Sequence, residues 1–229
     1  MTNKSLLIYG ASMNENLIVN LESRKVVTST FRKLSKAKKD KIYNAIIGAF
    51  GSDAFARVSL DSIADTAGIA KGSLVQYFTE KENLTVFASE ILFDDFQAFW
   101  ERHFAVDYSG RVGDKIIKFM SGEVRYWFEN KAEALFYIKM TYEHGAGFGK
   151  SFRDGFHELR LDHLHDILHS GIETRQISPN ADIDAAAELL ASLQGDVVYR
   201  AITEEKKKSV DFYAMTIKRS VEIVIAGLG

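Results

Sequence analysis

The chain has 229 residues, 46% of them apolar, and a net charge of −2, so it can build a small domain plus a larger one with a sizeable core. It has no cysteine, which excludes disulfides and thiolate metal sites and fits a reducing, cytoplasmic setting. No apolar run approaches the roughly 18 to 20 residues that span a bilayer, and the apolar stretch at 5–13 lacks a convincing cleavage site, so no membrane association is expected.

Residues 1–34 have mixed polarity and no sustained period apart from a β-like VVTSTF at 26–31, and they read as an N-terminal extension without assigned order. Charge is uneven along the chain. Residues 1–84 hold 12 Lys and Arg against 8 Asp and Glu, a net +4, whereas residues 85–229 hold 17 against 23, a net −6. Arg24, Lys25, Arg32, Lys33, Lys36, Lys38, Lys39 and Lys41 crowd just before and at the first predicted helix. A solvated tail and an arm on phosphate or in a minor groove both fit such a run. From Lys36, the apolar residues Ile42, Ala45, Ile46, Ala49 and Phe50 recur at steps of three and four, which predicts a helix ending near Gly51.

Residues 58–84, VSLDSIADTAGIAKGSLVQYFTEKENL, read as two short helices about a glycine turn followed by a third junction. Ser59 is placed to cap the first, which carries Leu60, Ile63, Ala64 and Ala67 as its apolar stripe, and Gly68 supplies the turn. The second, from about Ala70 to Tyr77, has Leu74 and Phe78 to anchor it while Lys71, Ser73 and Gln76 stay polar. That is the outline of a helix-turn-helix DNA reader. The segment resembles the DNA-binding region of the tetracycline-repressor (TetR) family, with Ser59, Ile63, Ala64, Ala67, Gly68, Lys71, Gly72, Leu74, Tyr77, Phe78, Lys81, Glu82 and Leu84 at matching positions. Ala70 departs from the family's serine cap and Val75 from a common tyrosine. The resemblance implies DNA contacts from Ser59, Lys71, Gly72, Ser73, Gln76, Tyr77 and Lys81, joined by Lys38 from the basic run.

The expected organisation is therefore all-α: an extension over 1–34, a three-helix helix-turn-helix domain over 35–80, and a helical domain over 81–229. Thr79 to Glu82 forms a T-x-x-E capping-box pattern opening a long helix with Leu84, Phe87, Ala88, Ile91, Leu92, Phe96 and Phe99 inward. Further helices are predicted near 110–129, 131–143, 151–174, 182–202 and 207–227, with Pro179 in a connector. The last two carry long stripes, Ile183, Ala186, Ala187, Leu190, Leu193 and Val197, then Val210, Tyr213, Ala214, Ile217, Val221, Val224 and Ile225. The resemblance implies that this pair makes a homodimer and that the central helices bind a small effector. The aromatic-rich middle nominates Phe96, Trp100, Met120, Trp127, Phe136 and Met140 as lining for an apolar or aromatic ligand.

Other chemistries fit less well. GAGFGKS at 145–151 ends like a phosphate loop, but the first glycine would fall on His144 and no buried strand precedes it. His165 and His169, four apart with Glu158, Asp162 and Glu173 nearby, suit a solvated face better than a metal site. Spacing alone assembles no catalytic constellation, and no cofactor is implied. The expectation is a regulator of double-stranded operator DNA, a repressor released by its effector; the alternative is a ligand-binding or interaction protein that keeps this fold without specific DNA recognition.

Overall fold

A computed structural model describes residues 13–103, 110–143, 148–205 and 208–228. Among these the structure is helical with no strand, as the hydrophobic periods predict. It divides into two compact units, one ending at Phe99 and the next beginning at Trp100.

In the first unit, α1 (Glu15–Ser23) starts on the Asn14 side chain, buries Ile18 and Leu21, and ends with Lys25 in the left-handed region at φ 62°. Residues 26–31, expected to be β-like, are instead a bend into a one-turn helix, α2 (Ser29–Arg32). The alternation comes from tertiary burial: Val26 and Val27 are covered, Phe31 is fully buried, and the Thr28 hydroxyl caps the Phe31 N–H. The stretch 13–34 is thus packed helix. Helix α3 (Lys36–Ser52) buries Ile42, Ala45, Ile46 and Phe50 as expected, and adds Tyr43 and Ile47.

Helix α4 (Leu60–Ala67) starts on Ser59, whose hydroxyl accepts from the Asp61 and Ser62 N–H groups, and ends at Gly68 with φ 69°. A side chain is disfavoured in that conformation, which is why glycine sits there. Helix α5 (Lys71–Phe78) follows on an uncapped Ala70 and buries Leu74 and Phe78. The expected Thr79–Glu82 capping box does not form. Thr79 takes φ 55° and ψ −44°, and Glu80 N–H donates to the Phe78 carbonyl at 2.5 Å, a γ-turn of the rare positive-φ kind. Asn83 replaces the box: its amide donates to the Phe78 carbonyl at 2.9 Å and to the Thr79 hydroxyl at 3.3 Å. Helix α6 (Lys81–His103) begins there and runs across the division at Phe99.

In the second unit, α7 (Val112–Glu129) touches all four other helices: α8 (Lys131–Ile138, continued by a π-turn over Lys139–Glu143), α9 (Phe148–Glu173), α10 (Ile183–Thr203) and α11 (Val210–Ala226). Its apolar stripe of Val112, Ile116, Phe119, Met120, Val124 and Trp127 forms the centre of the core. The end of α9 fits closely against the start of α7, since a Cβ on Gly171 would lie 2.8 Å from Val112 Cγ2 and 2.7 Å from Ile177 Cδ1. On α10, Ala186, Ala187, Leu190 and Val197 are buried, and on α11 Tyr213, Ile217 and Val221 are fully buried. Those stripes close the core of the chain itself. No helix among the described residues is long and apolar enough to cross a membrane.

Candidate nucleic-acid interface and ligand cavity

The nominated DNA contacts gather around α4 and α5. Lys71, Gly72 and Gln76 are exposed on α5, with Ser73 and Tyr77 half-buried beside them. Ala70 makes no side-chain cap to the first N–H groups of α5, a local arrangement that favours an anion. Lys71 Nζ lies 2.8 Å from Asp61 Oδ2, an exposed pair between the starts of the two helices. Such a pair is worth little in water and exchanges readily for phosphate. Gly72 is informative by what surrounds it: a Cβ there would meet nothing within 4 Å, so nothing among the described residues requires glycine in this helix.

The other nominated residues differ. Ser59 is exposed but its hydroxyl serves as the α4 cap. Lys38 is exposed on α3. Lys81 is turned inward, donating to the Phe55 carbonyl at 2.5 Å with its ammonium 4.6 Å from the Phe55 ring centroid. It fastens the short 3-10 turn Phe55–Arg57 to the start of α6. Val75, where the family often has tyrosine, is 45% exposed on α5.

The nominated effector residues are packed core. Phe96 belongs to the first unit and the other five to the second, and all six are at most 2% exposed. Trp100 packs edge-on against Phe119 at 4.4 Å and against His163 at 4.9 Å. Trp127 stacks on Tyr137 at 4.8 Å. It also borders a small apolar recess of about 170 Å³ with Phe128, Leu135 and Ile202.

A larger cavity, about 420 Å³, opens between α8 and its π-turn, α9 and α10, and its walls are polar and aromatic: Tyr137, Tyr142, Tyr199, Arg153, His157 and Asp196 among them. Tyr142 and Tyr199 meet edge-on at 4.8 Å. Burial pushes the Tyr142 hydroxyl pKa up, keeping it a neutral donor.

Beneath this cavity lies a buried polar cluster that the sequence reading did not nominate. Glu123 of α7 is fully buried and accepts from Arg160 Nη2 at 2.6 Å, from Trp127 Nε1 at 3.0 Å, and from the Gln194 amide. Arg160 also reaches the Tyr137 hydroxyl at 3.3 Å. Burial opposes the Arg160 charge, but Glu123 and then Tyr137 outweigh it and raise its pKa. A signal existed in the sequence. Glu123, Arg160 and Gln194 each interrupt an otherwise apolar helical register.

The histidine stripe on α9 is paired rather than metal-like: His165 Nε2 lies 2.9 Å from Asp184, and His157 Nε2 lies 3.0 Å from Glu188. No group of three metal-binding side chains occurs among the described residues. Residues 144–147 of the glycine-rich stretch lie outside them, while Gly149 to Ser151 fall in the first turn of α9.

Residues 42–86 match the family described as bacterial regulatory proteins, tetR family. No curated protein matches the sequence. Among solved structures, the chain is similar to a TetR family transcriptional regulator from Chloroflexus aurantiacus J-10-fl, with a TM-score of 0.63 and 20% identity over 88% of this chain and 96% of that one. It is similar to the fatty acid degradation regulator FadR of Bacillus halodurans, with a TM-score of 0.65 and 15% identity over 83% of this chain and 100% of that one. It is also similar to SmeT, the repressor of the Stenotrophomonas maltophilia multidrug efflux pump SmeDEF, with a TM-score of 0.63 and 18% identity over 85% of this chain and 90% of that one.

Proposed function

Because this chain has the TetR-family helix-turn-helix segment and the fold of TetR-family transcriptional regulators, we propose that it is a homodimeric repressor of operator DNA, released when a small molecule fills the cavity between α8, α9 and α10. The observation that carries the DNA reading is Gly72. A glycine inside a helix costs roughly 1 kcal/mol relative to alanine. Nothing among the described residues comes within 4 Å of a Cβ placed there. Close approach of a partner backbone accounts for it, next to the uncapped start of α5 and Lys71. Gln76 is the base reader in this scheme, since an amide pairs bidentately with adenine.

The effector is an aromatic molecule bearing polar groups rather than a purely apolar one, because the cavity presents three tyrosines with Arg153, His157 and Asp196. Binding shifts the population of the dimer away from the arrangement that fits successive major grooves. Dimerisation uses the faces of α10 and α11 that stay uncovered, where Leu189 is 58%, Met215 55% and Ile223 75% exposed.

The test is selection of binding sites from a randomised duplex library, followed by salt titration on the recovered sequence. Lys71→Ala is expected to weaken binding evenly across sequences and to lower the salt slope by about 1, as a lost phosphate contact does. Failure of the wild-type protein to enrich any sequence would favour the alternative, a ligand-binding or interaction protein on the same fold.

A further inference from the structure

The stretch preceding residue 42 lies outside the family match, yet its helices α1 and α2 hold the recognition helix at its far end. Thr28 N–H donates to the Tyr77 carbonyl at 2.9 Å, and the Thr28 hydroxyl donates to the Gln76 carbonyl at 3.0 Å. Those are C-terminal carbonyls of α5, which have no partner within the helix. The same hydroxyl accepts from the Phe31 N–H at 3.4 Å, so one side chain both starts α2 and closes α5. Phe31, fully buried, is wedged against Phe78 and Phe87, each at 5.1 Å, with Tyr77 at 6.0 Å. Asn83 adds a bond to the Lys25 carbonyl at 3.4 Å, and Arg24 pairs with Glu90 of α6 at 2.7 Å.

We propose that α1 and α2 form a clamp that sets the placement of the recognition helix, with Thr28 as its positioning residue. An eight-residue helix is far below the length that is stable alone, and this one lacks a side-chain cap at its start. Its orientation is therefore set by what packs against it, α4 along its length and α2 at its end. The two carbonyls that Thr28 holds belong to Gln76, the proposed base reader, and to Tyr77, a nominated DNA contact beside it. A shift of the clamp moves both contacts together. This inference rests on the DNA reading above.

The experiment compares wild type, Thr28→Val, Thr28→Ala and Thr28→Ser on a duplex recovered by selection with the wild-type protein. Thr28→Val loses the hydroxyl bonds at nearly constant volume, and it is expected to bind about three- to tenfold more weakly per reading head, the size of one lost hydrogen bond. Preference at the Gln76-read position should broaden while the salt slope stays unchanged, and Thr28→Ser should restore both. Simple destabilisation would lower the active fraction without changing base preference. Wild-type affinity and preference in Thr28→Val and Thr28→Ala would overturn the clamp, and so would unfolding of both, which would make the contact a requirement for folding rather than placement. If the wild type selects no sequence, the DNA reading fails first.

Discussion

At the scale of single residues, one position in each unit offers a test. Gly72 lies in a helix where alanine would be more stable and would touch nothing among the described residues. Gly72→Ala is therefore expected to raise unfolding free energy by about 0.5 to 1 kcal/mol while weakening operator binding, because its methyl group meets the DNA backbone. Urea melts and a binding titration on the same preparation give the two signs; a gain in stability with unchanged binding would remove Gly72 from the interface. Tyr213 offers a second test in the other unit. Its hydroxyl donates to Glu204 at 2.9 Å, and burial, followed by that carboxylate, pushes its pKa up to about 12. A pKa raised on folding means that the protonated tyrosine is favoured in the native state, so the stabilisation is complete below about pH 10 and is lost as pH rises toward 12. Thermal melts of Tyr213→Phe should fall less over that alkaline window than wild-type melts do. Parallel decline would mean that another group carries the alkaline loss.

At the scale of elements, the buried cluster shows what was legible and what was not. The helices were readable because their apolar residues recur at steps of three and four, and α7 to α11 appear close to the predicted spans. The reading head was readable because Ser59, Gly68 and Leu74 act locally, as a cap, a turn and an anchor. The T-x-x-E pattern at Thr79 misled, since a local motif gave way to Asn83 and a γ-turn. Residues 26–31 misled likewise, because the burial of Val26, Val27 and Phe31 comes from contacts distant in sequence. The nominated effector residues are buried core for the same reason: aromatic content reports a core, but only packing says which part of it stays open. Glu123 and Arg160 were visible as charges in apolar registers, yet their pairing needs α7 and α9 in contact. Arg160→Ala is expected to cost about 3 to 5 kcal/mol, since it strands a buried carboxylate, whereas Glu123→Gln with Arg160→Met should cost less, because it removes both charges while the new amide oxygen still accepts from Trp127 and Gln194. Chemical denaturation of both variants decides it. Equal loss in the two would point to packing rather than to the unpaired charge.

At the scale of the whole molecule, the two final helices have an inner and an outer face, and the proposed dimer uses the outer one. Val221 is fully buried and Leu193 half-buried, so those stripe residues serve the core of each chain. Leu189 and Tyr199 on α10, with Phe212, Met215 and Ile223 on α11, are large apolar side chains left exposed. Tyr199 also lines the 420 Å³ cavity, so a partner covering this face would lie next to the bound effector. Glutamates placed on the outer face should cost the monomer little, because they remain in water until a second copy buries them. Leu189→Glu combined with Ile223→Glu is therefore expected to give a folded monomer, helical by circular dichroism and half the wild-type mass by light scattering. Val221→Glu should instead unfold the chain, since its carboxylate has no water and no partner. The folded monomer should also lose operator affinity by about a hundredfold or more, because two linked half-site contacts become one. Lys71→Ala in the monomer should still lower the salt slope, which separates lost avidity from a damaged reading head. A folded dimer from the double variant would place the interface on another surface, and full operator affinity in a proven monomer would mean that one reading head suffices.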